Sequence, residues 1–181
     1  MASDVPVKSY SSASKFFHWL IAIIVIPMVL FSFFLDDLPK SIGGTAVMLH
    51  KSFGLTVLFL MIFRLVWVIR KGKPALPASV PLWQRTTARL VQHALYITII
   101  AMPLVGWIMS MAAQKTPVFF GLFKLPLPGI PADKTLAKNM FEIHSTLAWI
   151  IIIIVALHIL GAIKHHFIDK DNVLKRMLWE K

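Results

Sequence analysis

Cysteine is absent from the 181 residues, and acidic residues are scarce: eight Asp and Glu against nineteen Lys and Arg. Without cysteine there are no disulfides, no thiolate-held iron–sulfur clusters and no C-x-x-C-H attachment of a c-type haem. A metal or cofactor here has to be held by histidine, with no covalent link. Polar sequence of any kind is also in short supply. Hydrophobic residues make up 57% of the chain and the mean hydropathy is +0.74. That is too apolar for an ordinary soluble domain and points to an integral membrane protein.

Four stretches, about 16–35, 48–69, 90–112 and 143–162, are long enough to cross a bilayer as helices. The first lacks a small-residue cleavage site and carries His18 and Trp19 at its start, so it reads as a retained span. With no internal repeat and no second domain, the expectation is a single transmembrane domain over 1–181. Its fold class is all-α, an up-down-up-down four-helix bundle. Two connections are rich in proline and glycine, which argues against regular structure there. One is "RKGKPALPASVPLWQR" between the second and third spans. The other, "AQKTPVFFGLFKLPLPGIPADKT" at 113–135, carries Phe119, Phe120 and Phe123 and reads as a lid on the outer membrane surface.

The charge of +11 is uneven along the chain. Twelve of the basic residues fall in the N-terminal arm (Lys8, Lys15), the second connection and the C-terminal tail; six fall in the first and third connections. By the positive-inside rule both termini are cytoplasmic. Nucleic acid has no place in this distribution. In the third span, "PLVGW" puts a kink at Pro103 and lets a neighbour approach closely at Gly106. Trp149 and Met102 read as lipid contacts or core filling.

The fourth span holds His144 and His158, fourteen residues apart. That spacing falls about 40° short of four full helical turns, so both project from one face, about 21 Å apart along the axis. One lies near the outer surface and the other near the inner. Ionisable groups at membrane depth are costly and mark function. The separation is too large for one metal ion and suits two planar cofactors, one above the other. His50, in the first turn of the second span, matches His144 in depth; either His18 or His93 matches His158. Two imidazoles facing across a bundle are suitable axial ligands for haem iron. Arg64, fourteen residues after His50, falls on the same helix face at the inner level, where a haem propionate answers its charge. Gly54 and Gly161 leave room for a flat macrocycle. Zinc fits poorly: it wants three or four converging ligands, whereas depth divides these histidines into pairs.

The segments "FFHWL", "LHKSFGL", "FRLVW", "QHALYI", "PLVG", "TPVFFGL", "EIHSTLA" and "LHILGAIKHHFIDKDNVLKRM" together resemble the bacterial cytochrome b561 family over about Tyr10 to Met177. The sequence is similar in particular to its superoxide oxidase branch, four-helix inner-membrane proteins with two b-type haems. The resemblance implies His18 with His158 on an inner haem, His50 with His144 on an outer one, and His93 as a non-ligand.

Two non-covalent haems across a membrane make a one-electron wire, and bis-histidine ligation leaves no open iron position for oxygen. Lys115, Lys124, Lys134 and Lys138, on the outer side, are placed to steer a small anion such as superoxide. At the inner end ubiquinone suits as a two-electron acceptor. His165, Lys164, Ser14 and Lys15 are candidates to bond its carbonyls, with His165 as a proton donor. The expected function is therefore an oxidoreductase that oxidises superoxide outside and reduces ubiquinone inside. One alternative is a relay between the quinone pool and a periplasmic redox protein; another is a non-redox membrane scaffold.

Overall fold

The computed structural model describes residues 9–75 and 80–179; Lys8, Lys181 and residues 76–79 of the second connection lie outside them. Four helices dominate: α1 Ser12–Ser32, α2 Lys40–Lys71, α3 Leu82–Ala112 and α4 Lys134–Phe167. Each is long and apolar enough to span a membrane. Their starts follow ordinary capping chemistry. Ser11 accepts the Ser14 N–H at the start of α1, and Asp133 accepts the N–H groups of Thr135 and Leu136 at the start of α4. α2 ends at Gly72, whose φ of 75° suits glycine.

The helices outrun the apolar stretches that mark them. α2 begins at Lys40 rather than near 48, α3 at Leu82 rather than near 90, and α4 at Lys134 rather than near 143. Hydropathy locates the membrane, whereas backbone hydrogen bonding continues into water as long as propensity permits. At 34 residues α4 is about 51 Å long, well beyond a hydrocarbon core of about 30 Å.

Helices adjacent in sequence pack closely, α1 on α2, α2 on α3 and α3 on α4. The tight core lies among the first three. Ile21 and Val25 of α1 meet Val57 and Met61 of α2, with Tyr96, Ile99 and Ile100 of α3 against them. α4 contributes only Ile151 to the buried set among the described residues. It stands off from α1 and α2, which it meets through side chains. The histidines lie across that gap.

The outer connection has regular structure that its proline content concealed. Val118–Phe119 (β1) pairs antiparallel with Phe123–Lys124 (β2), Val118 opposite Lys124. Phe120 and Gly121 turn the chain at positive φ, 47° and 77°. For Phe120 that conformation is uncommon and needs support. Ser52 of α2, wholly buried, accepts the Phe120 N–H at 2.8 Å, and its one hydroxyl proton is shared between the Met48 carbonyl at 2.8 Å and that of Val118 at 3.3 Å. Trp107 Nε1 donates to the Leu125 carbonyl, and Lys51 Nζ to that of Lys115. The hairpin is thus tied to α2 and α3. At the opposite end the C-terminal tail folds under α1: Lys15 Nζ donates to the Leu178 carbonyl and Trp19 Nε1 to that of Met177.

Candidate functional site

Four imidazoles from three helices meet in two pairs. At the outer level His50 of α2 faces His144 of α4, with ring centres 6.2 Å apart and planes at 70°. At the inner level His18 of α1 faces His158 of α4, at 6.0 Å and 65°. Two imidazoles bonded to opposite sides of one metal, each bond about 2.0–2.1 Å, have ring centres about 6 Å apart. Both gaps match that separation. None of the four rings makes a side-chain hydrogen bond of good geometry among the described residues, and His144 Nδ1 is buried without one. Each ring therefore keeps a nitrogen available to bind a ligand. His93 lies on an exposed face of α3 and has no ring contact with His158.

Around the outer pair is a cavity of about 390 Å³, lined by Gly54, Gly106 and Trp107 among other residues. Met102 and Trp149, which composition assigns to lipid contact or core filling, line it as well. So do Lys51 and Asp36, which sequence reasoning missed. Adjacency to His50 was the available signal for Lys51; nothing in the sequence marks Asp36. Lys115, Lys124, Lys134 and Lys138 sit outside, exposed, and Lys138 stands 4.0 Å from Glu142.

At the inner level Arg64 is within electrostatic range of both His18 and His158. Its guanidinium lies 5.5 Å from the centre of the Tyr96 ring, and its Nε is buried with no hydrogen-bond partner. Lys73 approaches the same ring at 5.4 Å. Burial, and then the Arg64 charge, lower the Lys73 pKa. An uncompensated cation of this kind suits a carboxylate ligand. Gly161 has open space around its Cα, with nothing within 4 Å of an added methyl.

This donor set, neutral imidazoles in facing pairs beside an apolar cleft and a buried cation, fits haem and no thiolate-dependent group. The profile of the family described as "Prokaryotic cytochrome b561" matches residues 9–180. The chain belongs to this family. Cytochrome b561 proteins are membrane electron-transfer proteins that bind b-type haem, which sets the scaffold alternative aside. Two Escherichia coli (strain K12) relatives are similar over most of their length. "Cytochrome b561 homolog 2" is 36% identical over 93% of this chain and 90% of its own. "Cytochrome b561 homolog 1" is 33% identical over 93% and 96%. The "Probable superoxide oxidase CybB" of Yersinia pestis is 28% identical over 96% of this chain and 98% of its own.

The quinone candidates are gathered at the inner end, each with a partner. Lys164 Nζ contacts Asp169 at 2.6 Å, and His165 Nδ1 lies 2.6 Å from Asp171 Oδ2. Lys15 donates to the tail, and buried Ser14 bonds to Ser11. His165, Asp169 and Asp171 bring ligand atoms within 4.8 Å of one another, but Lys164 already supplies the positive charge there.

Proposed function

We propose that this cytochrome b561 protein binds two haem b groups, the inner between His18 and His158, the outer between His50 and His144. Both termini are then cytoplasmic in a bacterial inner membrane. In this reading it oxidises superoxide at the periplasmic face and delivers the electrons to ubiquinone near the cytoplasmic face. The observation that carries it is the pairing of imidazoles at two depths along α4, each with a metal-sized gap. Haem supplies reversible one-electron exchange at iron.

The residues supply binding and access. The two histidines at each level would hold the iron of a bound haem and would leave it no open position for oxygen. Arg64, through its unpartnered Nε, would hold a carboxylate of the inner haem, and Gly54 keeps the outer cleft open at the level of His50. Two superoxide anions lose one electron each and leave as dioxygen. Ubiquinone gains those two electrons and two protons to become ubiquinol. His165, whose Nδ1 lies 2.6 Å from Asp171, is the candidate proton donor for that step. Ser14, Lys15 and Lys164 are the other groups in range of the same membrane edge. Outside, Lys115, Lys124, Lys134 and Lys138 attract the anion, and Lys51 is the cation at the cavity itself.

The relay reading has one observation in its favour: Leu122 and Phe123 at the hairpin are exposed, a surface that a periplasmic protein can contact. Stopped-flow mixing of oxidised protein with superoxide separates the two. Fast haem reduction followed by ubiquinone-dependent reoxidation is expected. Haem that stays oxidised with superoxide but is reduced by quinol removes the oxidase reading and leaves the relay.

A further inference from the structure

α3 presents Gly106 to the ring of His144. A methyl group added at Gly106 falls 3.1 Å from Cε1 and 3.3 Å from Nδ1 of that ring, closer than side-chain contacts ordinarily come. A side chain at 106 fits only if the imidazole gives way by a few tenths of an ångström. Gly54 is different: an added methyl there meets Met28 and Pro103 at an ordinary 4.0 Å. The His144 Nδ1 that faces Gly106 is buried and makes no hydrogen bond, so the contact with α3 is steric. Inside a helix, glycine is about 1 kcal/mol worse than alanine. Helix stability alone favours alanine at 106; the ring contact favours glycine.

We propose that Gly106 forms a seat that fixes the plane of the His144 ring. This rests on the reading of His144 as an outer haem ligand. Gly106 is a positioning residue: it acts only through His144.

The test compares Gly106→Ala with Gly44→Ala, where an added methyl meets nothing within 4 Å. Both are made in the full chain and purified with haem. Gly106→Ala is expected to change the low-spin EPR signature and midpoint potential of the outer haem and to weaken its retention by about 10- to 100-fold. The inner haem is expected to stay as in the unaltered protein, and Gly44→Ala to match that protein throughout. A glycine needed only for packing does not move the EPR signature or the potential. Unchanged values for an outer haem that is present in Gly106→Ala overturn the seat. If that variant does not assemble, the outer haem of the unaltered protein reads the same plane: a highly anisotropic low-spin EPR signal is expected from rings crossed at 70°, and an ordinary rhombic one overturns the seat. An unaltered protein with no outer haem overturns the ligand reading, and the seat with it.

Discussion

At the scale of single residues, the imidazole angles have an electronic consequence. Planes crossed at 65° and 70° bring the two iron orbitals that interact with them close in energy. On the two-haem proposal, each ferric haem is therefore expected to give a highly anisotropic low-spin EPR signal, and ordinary rhombic signals from parallel rings would contradict the pairing geometry. His144→Ala is expected to remove the outer haem and spare much of the inner one. His93→Ala is expected to keep full haem content, since that ring faces away from His158; optical haem quantification checks both. Arg64→Met removes a buried positive charge beside the inner pair. A cation favours the reduced state, so the inner potential falls, by about 60 mV for each 1.4 kcal/mol of lost stabilisation. Redox titration in which the outer potential falls instead contradicts the placement of Arg64.

The histidines were legible in the sequence because a fourteen-residue interval returns to one helix face whatever surrounds it. Choosing between His18 and His93 was not possible from depth, as both stand near the inner ends of their spans; helix rotation turns one inward and the other out. Gly106 was legible as a point of close approach, but the approaching neighbour depends on how α3 and α4 are rotated against each other. Local sequence does not encode that. Asp36 and Lys51 line the cavity for the same tertiary reason.

Among the elements, the outer hairpin shows how tertiary bonds override composition. Two-residue strands have little stability of their own, and a phenylalanine at φ 47° works against the turn. Ser52 supplies what the strands lack, and it belongs to a helix 66 residues or more away in sequence. Ser52→Ala leaves the Phe120 N–H without its acceptor, at a cost of about 1–3 kcal/mol if it stays buried. Faster hydrogen exchange at the Phe120 amide is expected, with haem content unchanged. Equal protection in the variant would show that the hairpin holds itself. Helix ends were under-read in the sequence for a different reason, since hydropathy reports the membrane slab rather than the hydrogen-bonded length.

For the whole molecule, the arrangement is a three-helix core with a fourth helix set apart from α1 and α2, and both facing pairs draw on that fourth helix. Charge is also organised at this scale. If the outer lysines steer an anion, reduction by superoxide slows as ionic strength rises, because exposed charges are screened beyond about 8–10 Å at 0.1–0.15 M salt. A rate independent of salt would contradict steering. The most direct test of the two-level design is the ratio of haem b to polypeptide in protein purified from cells well supplied with haem. Two haems per chain, falling to one in His144→Ala, are expected. A ratio of one or less in the unaltered protein, or no change on losing His144, would contradict the pairing of imidazoles at two depths.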